Sequence, residues 1–98
     1  MPRRSRMEIY IDILKAVAEG KRKPTHIMYR ANLTWTRLER HMDFLTGRNL
    51  LMQEEVNGST TFSLTATGKE VLQYYKRLEY QVYRGKRAMP SEVYALAR

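Results

Sequence analysis

The chain has 98 residues, 43% of them hydrophobic, and no cysteine. That is enough apolar side chain for one small core, and it excludes disulfides, thiolate metal sites and cysteine nucleophiles. Eighteen Lys and Arg against ten Asp and Glu give a net charge of +8 and a pI near 10.0, a balance that suits a polyanion such as nucleic acid. The charge is uneven. Residues 1–48 carry eleven basic and five acidic side chains, net +6, whereas residues 49–98 carry seven and five, net +2. No apolar run approaches the roughly 20 residues of a membrane span, and no apolar signal region opens the chain. The expectation is a soluble intracellular protein.

Residues 1–5 form a basic N-terminal arm that includes Arg3 and Arg4. Ser5 followed three residues later by Glu8 is a capping-box pattern, so a first helix is predicted from about Arg6 to Glu19. Tyr10, Ile13, Leu14 and Val17 mark its buried face, widened by Met7, Ile9 and Ile11. Gly20 ends it. Lys21-Arg22-Lys23-Pro24 reads as a basic loop just before a helix N-terminus, a place that attracts phosphate. A second helix is predicted over about Thr25 to Ala31, with Thr25 as its cap and Ile27 and Met28 facing inward. Tyr29 fits either a core or an interface.

A third helix is predicted from Thr34 to Gly47. The Thr34 hydroxyl suits the N-cap. Leu38, Met42 and Leu45 fall at i, i+4 and i+7 and share one face. Thr36, Arg37 and Arg40 point the other way, with Trp35 and His41 at the margins. Packing of Trp35 against the first or second helix is preferred over base contact. Two helices joined by a short turn at Asn32-Leu33, the second with a basic outer face, meet the needs of a helix-turn-helix in a major groove. An ordinary helical hairpin with a solvated face is the competing reading of this stretch alone.

Leu50 to Val56 reads as a strand, and Asn57-Gly58 is a type I′ hairpin signal. Ser59 to Leu64 is the return strand, with Phe62 and Leu64 inward. A hairpin directly after a recognition-type helix is a wing. Thr65 caps a fourth helix, predicted from Ala66 to Tyr83 or Arg84, and Gly68 in its first turn allows close approach to the sheet. Val71, Tyr75, Leu78 and Val82 are spaced four, three and four apart, a short heptad-like seam. Leu72, Tyr74, Tyr80 and Tyr83 add apolar surface. The near half of this helix is predicted to cover its own domain and the far half a second copy. Gly85 and Pro90 break the helix, leaving residues 85–98 as a tail.

No catalytic or metal-binding pattern is present. His26 and His41 stand fifteen apart, without cysteine, and do not match metal-ligand spacing. The four serines lack a triad context. Gly68-Lys69 lacks the remainder of a phosphate loop. The expectation is no enzyme, no cofactor and no small-molecule ligand.

The segment Thr25-His26-Ile27-Met28-Tyr29-Arg30-Ala31-Asn32-Leu33-Thr34 resembles a motif of small archaeal winged helix-turn-helix DNA-binding proteins, including the basic chromatin-associated proteins of Sulfolobales. Arg4-Ser5-Arg6, Glu8-Ile9 and Asp12-Ile13-Leu14 are similar to that family's first helix. Leu50-Leu51, Phe62-Ser63-Leu64-Thr65 and Gly68 are similar to its wing and the start of its last helix. The resemblance covers residues 4 to 84. It implies an antiparallel coiled-coil homodimer through the C-terminal helix, with Val71, Tyr75, Leu78 and Val82 in the seam. Gly85 and Pro90 depart from that pattern and would shorten the seam. Glu54 and Glu55 disfavour phosphate contact along the wing strand, whereas the tip at Ser59 and Thr60 can still donate hydrogen bonds.

These features predict an α+β, mostly α, winged helix-turn-helix: a domain over residues 6–65, a dimerisation helix over 66–84 and the tail. The predicted partner is double-stranded DNA, bound by a dimeric transcriptional regulator with the third helix in the major groove. Thr34, Trp35, Thr36, Arg37 and Arg40 are the groove candidates. Arg3, Arg4, Arg6, Lys21, Arg22, Lys23 and Arg30 are the phosphate candidates. An architectural chromatin protein and a winged-helix protein-interaction module are the alternatives.

Overall fold

A computed structural model describes residues 3–84. The order of elements is α1 (Arg6–Ala18), α2 (Pro24–Ala31), α3 (Trp35–Gly47), β1 (Leu51–Val56), β2 (Ser59–Leu64) and α4 (Ala66–Glu79), followed by a π-helical turn, Tyr80–Arg84. The strands form one antiparallel hairpin, with Leu51 opposite Leu64 and Val56 opposite Ser59. This is the helix, helix, helix, strand, strand, helix order read from the sequence, and the mostly helical α+β class holds. The predicted tail and its breaks at Gly85 and Pro90 lie outside the described residues.

Local chemistry explains most boundaries. The Ser5 hydroxyl accepts from the Glu8 amide at 3.1 Å, while the Ser5 amide donates to the Glu8 carboxylate at 2.8 Å. This reciprocal pair closes two donors that α1 would otherwise leave open. Thr34 caps α3 and Thr65 caps α4. Asn32 takes the left-handed conformation (φ 57°) where α2 stops, and Asn49 does the same after α3 (φ 60°). Asn57 and Gly58 have φ of 52° and 78°, as a type I′ hairpin requires.

The core is one cluster. α1 contributes Ile9, Ile11, Ile13, Leu14, Ala16 and Val17; α2 adds Ile27 and Ala31; α3 adds Leu38, Met42 and Leu45; Leu51, Phe62 and Leu72 close it from the wing and α4. Gly68 is what lets α4 lie against the end of α3. A Cβ there would overlap the Leu50 carbonyl oxygen and stand 3.3 Å from Leu64 Cδ2.

Several expectations need correction. Thr25 is not the cap of α2: the helix starts at Pro24 in its first turn, and Lys23 occupies the cap position without a side-chain bond. Proline fits there because its missing N–H would have been unpaired anyway. Met7 is exposed rather than part of the buried face of α1. β1 begins at Leu51, one residue later than predicted. The last helix is not α-helical to its end. It changes to a π-turn at Tyr80, which shifts the phase of the side chains beyond Glu79. As expected of the near and far halves of this helix, Val71 and Tyr75 are partly buried against the core of their own chain, whereas Leu78 and Val82 are exposed.

Candidate nucleic-acid interface

α3 is held by its apolar face. Leu38 and Leu45 are essentially inaccessible and Met42 is buried, which turns Thr36, Arg37 and Arg40 to solvent. The Thr34 hydroxyl is used locally, accepting from the Arg37 amide at 3.4 Å. Tyr10 of α1 fixes the helix from the side. Its ring stacks on Phe44 at 4.7 Å and meets His41 edge-on at 5.4 Å. Arg48 lies 4.9 Å over the other ring, Phe44. His41 is therefore buried rather than marginal, and burial holds its protonation below the ordinary value. Arg37, Arg40, Arg6 and Arg4 push in the same direction.

Most of the predicted cations fall into two groups. Arg3, Arg4 and Arg37 line one cleft with Ile9, between the arm and the first turn of α3. Arg6 and Arg40 belong to the same positive neighbourhood around His41. Lys21, His26, Tyr29 and Arg30 line a second, open site along α2. Arg30 is bound there by Glu19, with two contacts of 2.7 Å. The pair holds the Glu19 carboxyl below, and the Arg30 guanidinium above, their ordinary values. Arg22 stands apart from both groups. The Phe62 amide donates to its carbonyl at 2.9 Å, and its side chain lines a cavity with Lys69 and Lys76 between α1, β2 and α4. Lys23 is exposed at the N-cap of α2.

Arg4 differs from the other arginines. It donates to Asp12 Oδ2 at 2.7 Å, to the Ala31 carbonyl at 2.7 Å and to the Asn32 carbonyl at 3.0 Å. The two carbonyls close α2, where a helix leaves acceptors unpaired and favours a cation. No spacing rule in the sequence exposes this link.

Trp35 is half exposed. It lines a cavity with Pro24 of α2, Met42, Gln53, Thr60 and Phe62, which places it on the side of α2 and the wing. Thr60 is partly buried there, whereas Ser59 at the wing tip is exposed. Glu54 accepts from the Ser63 hydroxyl at 3.2 Å on the other face of the hairpin.

A family model for the winged helix-turn-helix matches residues 3–82. The chain belongs to this family. An uncharacterized protein of Methanocaldococcus jannaschii is 33% identical over 69 residues, which is 70% of this chain and 67% of that protein. Among solved structures, the DNA-binding protein Sso10a-2 from Sulfolobus solfataricus superposes with a TM-score of 0.70 at 21% identity, covering 97% of this chain and 98% of that one. The winged-helix DNA-binding protein F93 from STIV gives 0.67 at 17% identity, covering 83% and 96%. At these identities the two structures share the fold. The fold that the sequence resemblance implied is thus the one observed. Among the described residues no helix is long and apolar enough to cross a membrane, and no group of three or more His, Asp or Glu side chains could hold a metal ion.

Proposed function

We propose that the protein binds double-stranded DNA as a dimeric transcriptional regulator, with α3 in the major groove. The observation that carries this reading is the positive surface around α3. Thr36, Arg37 and Arg40 face solvent beside Arg3 and Arg6, while the opposite face of the helix is locked into the core. Arginine can read guanine through two hydrogen bonds or hold a phosphate in the same geometry. Sharing a fold with two proteins described as DNA-binding supports the same reading. The phosphate contacts assigned here are Arg3, Arg6, Lys21 and Lys23. The wing tip adds hydrogen bonds from Ser59 and Thr60.

Dimerisation is assigned to α4. Leu78 and Val82 are exposed, as are the neighbouring Tyr74, Tyr80 and Tyr83, and a second copy would cover them. The reading requires no catalytic step and places the protein with the nucleoid.

Fluorescence anisotropy of a labelled duplex over a salt series tests this. With six to ten phosphate contacts, affinity falls by roughly 10³ to 10⁵ between 50 and 200 mM salt. A flat response, or duplex binding unchanged in the Arg37→Ala plus Arg40→Ala variant, would overturn it. Footprinting over genomic fragments separates a regulator, which protects discrete sites, from an architectural protein, which covers DNA evenly.

A further inference from the structure

We infer that the arm and the recognition helix together build a phosphate-binding cleft, in which Arg3 and Arg37 are the ligands and Arg4 is the residue that positions them. The inference rests on the DNA-binding reading above and adds a division of labour within it.

The cleft has about 350 Å³ of open space and is lined by Arg3, Arg4, Ile9 and Arg37. Ile9 is buried and forms an apolar floor. The first turn of α3 borders it, so the positive end of that helix adds to the field. Arg3 comes from the arm before α1 and Arg37 from α3, and the path of the arm brings them together.

Arg4 sets that path. Its guanidinium is spent inward on Asp12 and on the carbonyls of Ala31 and Asn32. Its charge is matched by Asp12 at 2.7 Å. What it does instead is tie residue 4 to α1 and to the turn between α2 and α3 at one point. The adjacent Arg3 is then delivered to the side of α3. A planar fork with several donors can bridge these three acceptors; a lysine ammonium lacks that geometry. The ligand is a single phosphodiester flanking the groove that α3 enters.

The test uses the full chain and duplex DNA in a salt series, with thermal melts to confirm that each variant is folded at the assay temperature. Arg3→Ala should make the slope of log K against log salt shallower by about 0.9, the value for one phosphate, for each head that engages the duplex. Arg4→Met should give the same loss, and Arg3→Ala should then cost nothing more in the Arg4→Met background. Arg4→Lys should not rescue. Asp12→Ala is the decisive variant. Removing a negative charge near DNA tightens binding on charge grounds alone, whereas loss of the tether weakens it. Rescue by Arg4→Lys, additive losses from Arg3 and Arg4, or tighter binding by Asp12→Ala would each overturn the inference while wild-type binding stands. A wild-type chain that fails to bind duplex at low salt would remove the DNA-binding reading itself.

Discussion

Tyr10 lies flat on Phe44, ring centroids 4.7 Å apart and planes 9° from parallel. This contact joins α1 to the C-terminal half of α3 at the edge of the aliphatic core. It supports the orientation that the buried Leu38, Met42 and Leu45 face gives α3, with Arg37 and Arg40 turned to solvent. A stacked aromatic pair is worth about 0.5–1.5 kcal/mol beyond the area it buries. Tyr10→Ala should therefore destabilise the fold by about 2–3 kcal/mol once the lost burial is included. Urea unfolding followed by circular dichroism measures it. Tyr10→Phe should retain most of the stability, because stacking does not need the hydroxyl.

Glycines 47 and 68 should respond to alanine with opposite signs. A Cβ at Gly68 would run into the Leu50 carbonyl, which is already accepting from the Thr65 amide at 3.2 Å. Neither partner is a flexible side chain, so Gly68→Ala should cost about 1–3 kcal/mol or more. Nothing lies within 4 Å of a Cβ at Gly47, which sits in the last turn of α3. Gly47→Ala should stabilise by about 0.5–1 kcal/mol through the lower entropy of the unfolded chain. Melting temperatures of the two variants, measured side by side, check both.

Stability should fall as the solution is acidified through the histidine range. His41 has a folded-state pKa below its unfolded value of 6.5, chiefly through burial and then through Arg37 and Arg40. The unfolded chain therefore binds the proton more readily, and stability contributed by the neutral ring is present above 6.5. It is lost progressively below that value, down to the folded-state pKa. His41→Gln should flatten this part of the profile. Glu8 and Glu19 are shifted below 4.5, so their effect appears only at lower pH. Denaturant midpoints between pH 8 and pH 5 would show whether the two profiles separate.

If α4 forms the dimer, Leu78→Asp should give a folded monomer. Leu78 is 60% exposed, so the substitution leaves the core of the single chain intact. Sedimentation velocity reports the mass, and circular dichroism reports the fold. A Leu78→Asp chain that keeps the wild-type mass would move the interface elsewhere.

The sequence disclosed the fold where periodicity and caps are local. Leu38, Met42 and Leu45 gave the buried stripe of α3, and Asn57-Gly58 gave the hairpin, because each signal lies within a few residues. Ser5 and Glu8 marked the start of α1 for the same reason. The site was less legible because its geometry depends on contacts distant in sequence. Arg4 and Arg30 look like free cations in the sequence, yet Asp12 and Glu19 engage them across eight and eleven positions. Arg22 belongs to a basic run, but the hydrogen bond between its carbonyl and the Phe62 amide turns it toward α4. Tyr10 and Phe44 carry no mutual signal at a separation set only by the packing of α1 on α3. The π-turn at Tyr80 has no glycine or proline to announce it.

The Thr65 hydroxyl does two tasks: it accepts from the Gly68 amide at 2.9 Å and donates to the Asn49 carbonyl at 2.6 Å. One oxygen therefore welds the start of α4 to the end of α3. With Gly68 seated on Leu50, the first turn of α4 is fixed directly to the head that precedes it. In a dimer built on α4, the distance between the two heads is then a ruler cast into the protein. If α4 carries the dimer, a duplex whose half-sites differ from that span would have to bend or twist to meet it.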